Sequence, residues 1–271
     1  MVGVLPLARG VQMAVVTLEQ TMPTSIVDRT AHSPAELRKG APRPPGKVWA
    51  LVLHQMAFSR GSVQTRYDRV NAHFAILPDG TILQLHPTSA LLWASNGFNA
   101  GSVAVEFAGN LPDTRGRCWE ATRFGCHRVT DAQITAGRAL VDHLIATIGL
   151  THVLAHRQSS GSRENDPGPD LWYHVGQWAA EARGMSDGGP GFKVGTGNPI
   201  PDAWRTWGQA GRPGHRGMAF EIDMPPAVLG RAGGRGGAGR RPAAARPGAE
   251  GRWVRRGGEI ILSGVASGGS R

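Results

Sequence analysis

Two histidines and one aspartate have the residue types and positions expected of a metal site. His54 lies near the end of the apolar run VWALVLHQM, and His156 ends a second short apolar run, HVLAH. Asp166 follows in Asn-Asp-Pro-Gly-Pro, where two prolines restrict the backbone and suit a ligand that must hold its position. A hydrolytic zinc site takes three such ligands and keeps one position open. The pattern therefore predicts one zinc ion per chain, bound by His54, His156 and Asp166.

Each of these residues alone has a more ordinary interpretation. A histidine at a strand end is usually a polar terminus, and Asp-Pro-Gly is usually a turn. The presence of all three favours the metal site. A fourth group, Glu106, interrupts the apolar run SVAVEF, where a carboxylate is costly to bury for packing alone. A solvent-facing Glu106 is the alternative, but beside three ligands it is suited to act as a general base.

The residues around these groups predict alternating strands and helices. Continuous apolar runs predict buried strands near His54 and Glu106, and an Asp-Gly turn in AHFAILPDGTILQ predicts a hairpin. A capping box at Thr130 begins a long amphipathic helix that ends at Gly149, and a second helix follows Pro169. This order predicts an α/β fold, a single domain with a central mixed β-sheet flanked by helices.

Composition divides the chain into four segments. Residues 1–46 look like an irregular lead-in, and residues 47–184 hold the predicted strands, helices and catalytic groups. Residues 185–210 are rich in glycine and proline but keep three aromatic residues, which predicts an extension that packs on the domain. Residues 211–271 contain mainly glycine, alanine, arginine and proline, and this composition predicts a low-complexity, disordered tail.

The net charge of +10 belongs mostly to this tail, which carries eleven arginines against four acids. Such a segment attracts polyanions through counterion release, so contact with an anionic polymer of the cell wall is one possibility. Nucleic acid is another, although the tail lacks the interleaved aromatic residues that stack on single strands. A tail without a selected role is the third.

Four segments together resemble one family. VLHQM, AHFAILPDGTILQ, GFNAGSVAVEFAGN and LAHRQSSGSRENDPGP are similar, in this order, to the zinc-dependent N-acetylmuramoyl-L-alanine amidases, which include phage amidases and peptidoglycan recognition proteins. The resemblance covers about residues 47–182. It implies a hydrolase that cleaves the amide between N-acetylmuramic acid and L-alanine in peptidoglycan or muropeptides. A zinc-bound water would be the nucleophile and Glu106 the general base, and His73 matches a position that lines the site.

The chain departs from the family pattern near the last ligand. Family members often carry a lysine two residues before that ligand, where it can stabilise an oxyanion, and this chain has Glu164 there. A carboxylate cannot replace a cation, so either Arg163 or His73 supplies the electrophilic group, or activity is reduced. The alternative function is therefore a non-catalytic module that binds peptidoglycan.

The remaining features concern the protein's setting. Cys118 and Cys126 are eight positions apart, which fits a local disulfide or two free thiols. No apolar run approaches the roughly 20 residues of a membrane helix, and the N-terminus is weak as a signal peptide. We therefore expect no membrane contact and a protein that is either cytoplasmic or released to the cell wall as a phage endolysin is. We also expect a monomer.

Overall fold

The structure is a computed structural model that describes residues 25–213, 252–256 and 259–263. Within the first range, six strands form one sheet. They are β1 (Ile26–Asp28), β2 (Ala50–Gln55), β3 (Phe74–Ile76), β4 (Ile82–Gln84), β5 (Ser102–Phe107) and β6 (His152–Ala155). Their order across the sheet is β1-β4-β3-β5-β2-β6. The β3–β4 pair is antiparallel and every other neighbouring pair is parallel, so the predicted mixed sheet is confirmed.

The three parallel strands β5, β2 and β6 bring the candidate site residues together at their carboxyl ends. His54 in β2 is the register partner of Glu106 in β5, so both side chains lie on the same face of the sheet. His156 directly follows β6, which also pairs in parallel with β2. Since the carboxyl ends of parallel strands share an edge, the fold brings these three residues together.

The principal helix, α2 (Asp131–Ile148), has the predicted ends. The Thr130 hydroxyl oxygen accepts a hydrogen bond from the backbone N–H of Gln133, and the Gln133 side-chain oxygen accepts one from the backbone N–H of Thr130. Gly149 ends the helix in the left-handed conformation. Its apolar face packs on the strands through Leu140, Val141 and Leu144. The capping box and the apolar spacing thus fix both the length and the buried face of this helix.

The second predicted helix consists of three consecutive segments. These are α3 (Pro169–Leu171), a π-helical stretch (Trp172–Gln177) and α4 (Trp178–Arg183), which Gly184 ends in the left-handed conformation. Trp172 and Val175 are fully buried in the main core. Short α-helices lie at Ala121–Phe124 (α1) and Asp202–Arg205 (α5), and 3-10 turns lie at Ala35–Leu37, Gln64–Tyr67, Asn96–Phe98 and His156–Gln158.

The lead-in differs from the irregular segment that its composition predicts. Ile26–Asp28 adds strand β1 to the edge of the sheet, parallel to β4. Arg43 is buried, and its guanidinium donates hydrogen bonds to the carbonyls of Thr88, Asn99 and Ser102 at 2.6, 3.0 and 2.6 Å. Residues 25–46 are therefore part of the domain, because the buried Arg43 satisfies carbonyls of the loops around the site.

The extension lies against the domain. Met185, Ile200 and Trp204 are buried in the main core, and Arg205 forms an ion pair with Asp187. In the loop after β5, Cys118 and Cys126 form a disulfide with a Cα–Cα distance of 5.6 Å.

The contacts of the chain divide it into two units, Met1–Ile222 and Asp223–Arg271. In the second unit, β7 (Arg252–Arg256) pairs antiparallel with β8 (Glu259–Ser263), a hairpin that the composition does not predict. The rest of the segment for which disorder is predicted lies, from residue 214 on, outside the described residues. Among the residues that the structure describes, no helix combines the length and the apolar character needed to cross a membrane.

Candidate metal centre

His54, His156 and Asp166 converge on one point, as the sequence predicts. The Nδ1 atom of His156 lies 3.0 Å from Nδ1 of His54 and 3.0 Å from Oδ2 of Asp166. Nδ1 of His54 and Oδ2 of Asp166 are 3.8 Å apart. All three side chains are buried, so their donor atoms face one another rather than solvent.

The backbone around the cluster fixes the carboxylate. Asp166 Oδ1 accepts a hydrogen bond from the backbone N–H of Gln55 at 2.9 Å, which leaves Oδ2 directed at the histidines. The Asp166 carbonyl accepts a second bond from the N–H of Arg157, also at 2.9 Å. The side chain of Gln55 contacts the Asn165 carbonyl and accepts a bond from the N–H of Leu111. Gln55 and Arg157, which directly follow His54 and His156 in the sequence, thus hold Asp166 in position.

The outer nitrogens of both rings also have partners. His54 Nε2 lies 3.0 Å from the hydroxyl of Ser95, and His156 Nε2 lies 2.6 Å from Oδ1 of Asn96. Neither Ser95 nor Asn96 is singled out by the sequence analysis. Their adjacency in a polar stretch just after Trp93 was the available signal, but nothing in it indicates contact with the histidines.

The donor set fits zinc. In a tetrahedral zinc site with bonds of about 2.1 Å, ligand atoms lie about 3.4 Å apart, and the three observed separations bracket that value. Burial, together with the neighbouring His156, lowers the pKa of His54 to about 4, which favours the neutral imidazole that binds metal. Burial alone would raise the pKa of Asp166, but its contacts with His156 and His54 lower it well below its usual range. The site therefore offers neutral nitrogen and an ionised carboxylate.

Glu106 stands beside this cluster with an unsatisfied carboxylate oxygen. Its Oε2 atom is buried and has no hydrogen-bond partner among the residues that the structure describes. Burial and the charge of Asp166 raise the pKa of Glu106 to about 8, although the positive charge of Arg163 opposes this shift. A buried carboxylate oxygen without a partner is costly for packing alone, so Oε2 is available to a ligand in the site.

One family model matches the part of the chain that contains this site. Residues 44–169 match the family model described as N-acetylmuramoyl-L-alanine amidase. These residues belong to that family. The resemblance seen in the four sequence segments is thereby confirmed, and residues 44–169 are called the amidase domain below.

Three solved structures illustrate the range of similar proteins. The endolysin N-acetylmuramoyl-L-alanine amidase LysCS from Clostridium intestinale is 21% identical and covers 53% of this chain and 87% of its own, with a TM-score of 0.37. Drosophila peptidoglycan recognition protein SD is 18% identical and covers 54% and 89%, with a TM-score of 0.41. The Ph2119 endolysin from a Thermus scotoductus bacteriophage is 16% identical and covers 53% and 92%, with a TM-score of 0.37. A search of curated protein sequences finds no match.

In the amidase domain, Arg163 and not Glu164 brings positive charge to the site. Glu164 is exposed. The positive charge of Arg163 is close enough to lower the pKa values of both Glu106 and His54. Of the two neighbours, Arg163 is thus the one whose charge acts on the site, and its predicted electrophilic role stays a prediction.

His73 does not fit the role of an electrophile. Its ring is buried in the amidase domain, with Nδ1 accepting a hydrogen bond from the N–H of Ala104 at 3.0 Å and Nε2 lying 2.8 Å from the carbonyl of Ala90. Nε2 also lies 3.0 Å from the guanidinium of Arg43. Because both ring nitrogens have partners within the protein, His73 ties β3 to its neighbours, and its predicted place in the lining of the site stays a prediction.

Proposed function

We propose that this protein is a zinc-dependent N-acetylmuramoyl-L-alanine amidase that cleaves the amide between N-acetylmuramic acid and L-alanine in peptidoglycan or muropeptides. One observation carries the proposal. Two imidazole nitrogens and one carboxylate oxygen converge within 3.0–3.8 Å of one another, beside Glu106, whose Oε2 atom is buried and has no described partner. This combination provides a metal site and a proton acceptor in one place.

His54, His156 and Asp166 would hold the metal. Zinc supplies a Lewis acid that makes water a competent nucleophile near neutral pH and polarises a carbonyl. The protein contributes the position of the ligands, which β2, β6 and the Asp166 loop fix before any substrate arrives. Such preorganisation means that little rearrangement is needed during the reaction.

Glu106 would move the protons of the hydrolysis. As an ionised base it accepts a proton from water, and as an acid it donates that proton to the nitrogen of the breaking C–N bond. A pKa of about 8, raised by burial, lies close to the pH at which both states are accessible. A nearby cation shifts that pKa downwards and favours the base form.

Arg163 would stabilise the negative charge that develops on the carbonyl oxygen. This assignment is supported by the effect of its positive charge on the pKa values of Glu106 and His54. A guanidinium also keeps its charge throughout the working pH range. This assignment answers the objection raised by Glu164, whose side chain is exposed.

The test combines metal analysis with product release. Purified wild-type protein, Glu106→Gln and Glu181→Gln would each be analysed for zinc and incubated with purified peptidoglycan while new amino termini are counted. We expect one zinc per chain in all three proteins. Release should occur with the wild type and with Glu181→Gln, in which an exposed helical acid is changed, and should fall by at least 100-fold in Glu106→Gln.

Two results would contradict the proposal. Zinc without release from the wild type would point to the peptidoglycan-binding module. Absence of zinc from freshly purified wild-type protein loaded with an equimolar amount of the ion would remove the metal mechanism.

We also propose that the protein acts at the cell wall, outside the cytoplasm, after release in the manner of a phage endolysin. The disulfide between Cys118 and Cys126 supports this, because disulfides persist mainly in oxidising compartments. Thiol labelling of the protein as it acts on cells tests the idea. Labelling of both cysteines without prior reduction would count against it.

A further inference from the structure

The adjacent residues Ser95 and Asn96 occupy the outer side of the metal cluster. Each of them contacts the distal nitrogen of a different histidine, at 3.0 Å for Ser95 with His54 and 2.6 Å for Asn96 with His156. Neither side chain has a donor atom in the cluster itself. We propose that Ser95 and Asn96 are positioning residues that set the orientation and tautomer of both metal-binding histidines, an inference that rests on the metal site of the proposed function.

The chemistry of Asn96 decides the tautomer of His156. The amide oxygen of asparagine accepts hydrogen bonds and cannot donate them, so the Nε2 atom of His156 must carry the proton. The lone pair of that ring is then on Nδ1, the atom that faces His54 and Asp166. The hydroxyl of Ser95 can accept a bond from His54 Nε2 in the same way.

This arrangement has a cost that a cation removes. With both Nε2 atoms protonated, two nitrogen lone pairs and a carboxylate oxygen face one another at 3.0–3.8 Å. In the metal-free protein these atoms need a shared proton, and the 3.0 Å between His156 Nδ1 and Asp166 Oδ2 is a hydrogen-bond distance. Bound zinc would take the place of that proton, and the outer hydrogen bonds would prepare the rings for it.

The segment that carries the pair is itself fixed. The Ser95 backbone N–H donates to Oδ1 of Asn99 at 2.6 Å, and its carbonyl accepts from the hydroxyl of Ser159 at 2.9 Å. At Gly97 a side chain would come within 2.8 Å of Val194, which shows how closely the extension packs behind the loop. Removing the Ser95 hydroxyl leaves these backbone anchors in place.

The backbone of Asn96 determines which substitution is informative. Its φ of 48° lies in the left-handed region, which glycine and asparagine adopt more easily than other residues. Asn96→Gly therefore removes the amide while it preserves the backbone conformation. Asn96→Asp keeps an oxygen acceptor and serves as the conservative variant.

The experiment measures zinc affinity of the full-length chain by competition with a chelating dye. The variants are Ser95→Ala, Ser95→Thr, Asn96→Gly and Asn96→Asp. The matched control is Asn71→Ala, because Asn71 bonds the Trp93 carbonyl of the same loop without touching a histidine. We expect Ser95→Ala and Asn96→Gly each to weaken zinc binding roughly 10-fold or more. Zinc affinity should remain within about 3-fold of the wild-type value, clearly smaller than that roughly 10-fold loss, in Ser95→Thr, Asn96→Asp and Asn71→Ala.

A second readout separates orientation from folding. Long-range proton–nitrogen NMR correlations of the metal-free protein report the tautomer of each imidazole ring. We expect both rings to carry the proton on Nε2 in the wild type and in Asn71→Ala. The His54 ring should become a tautomer mixture in Ser95→Ala, and the His156 ring in Asn96→Gly.

Equal zinc affinity across all variants would overturn the inference, as would a loss in Asn71→Ala as large as in Asn96→Gly. These results are distinct from failure of the proposed function. A wild type that binds zinc through oriented histidines but releases no amino termini would leave the inference standing and reject the amidase. If the wild type releases amino termini while all variants bind zinc as tightly as the wild type, the amidase proposal stands and the inference is rejected.

Discussion

At the scale of single residues, the ionisation of Glu106 couples the site to stability. Its pKa is raised from 4.5 to about 8, chiefly by burial, so between these values the folded metal-free protein holds a proton that the unfolded chain has released. The contribution of Glu106 to the free energy of unfolding therefore decreases as pH rises from about 4.5 to 8 and levels off above that range. Below pH 4.5 Glu106 is protonated in both the folded and the unfolded state, so its contribution no longer changes with pH.

This gives a prediction for Glu106→Gln in the presence of a chelator. The free energy of unfolding of the variant relative to wild type should increase between pH 5 and pH 8, because the amide never ionises. Urea unfolding at several pH values measures the difference. The opposite linkage of His54, whose pKa is lowered to about 4, is present in both proteins and cancels. A pH-independent difference would contradict the buried, proton-holding state of Glu106.

Arg163 provides a second prediction at this scale. Replacing it with glutamine should lower kcat by roughly 100-fold and change KM less, because the cation acts mainly on charge that develops in the transition state. Arg163→Lys should recover part of the rate. Steady-state kinetics on a soluble muropeptide makes the measurement, and Arg66→Gln, at an exposed site, is the matched control. An unchanged kcat in Arg163→Gln would mean that Arg163 does not stabilise the charge that develops in the transition state.

At the scale of elements, the predictable parts are those whose sequence repeats a pattern. The apolar runs around His54 and Glu106 and the caps of α2 sufficed to place strands and helix, since burial and capping are local signals. Strand β1 has three residues and, unlike the equally short β3 and β4, no Asp-Gly turn beside it to indicate a hairpin. The contacts of Asn96 depend on how a loop folds over the sheet, which no local pattern records.

Arg43 shows how such a non-local contact supports an element. A cation in a proline-rich segment is ordinarily solvated, and its burial here arises because three loop carbonyls surround it. Arg43→Met should leave those carbonyls unsatisfied and lower the free energy of unfolding by about 3 kcal/mol. Urea denaturation tests this, and the exposed Arg66→Met should stay within about 0.5 kcal/mol of wild type. Equal effects would mean that the lead-in adds little to the domain.

At the scale of the whole molecule, a metal bound by β2, β6 and the Asp166 loop links segments that are more than a hundred residues apart in sequence. Any ligand that binds the folded chain and not the unfolded one stabilises it by mass action. Zinc at 100 times its dissociation constant would add about 2.7 kcal/mol. For a domain of this size that corresponds to a rise in Tm of roughly 5–10 °C.

We therefore expect zinc to raise the Tm of the chelator-treated wild type, and chelator to reverse the rise. Asp166→Asn should show little response, because the ligand set loses its charged member. Asp170→Asn should respond as the wild type does, since Asp170 pairs with His174 and lies outside the cluster. Calorimetric scans of the three proteins with and without zinc decide the matter. A zinc-dependent rise that persists in Asp166→Asn would place the stabilising metal elsewhere in the chain and separate it from the hydrolytic site.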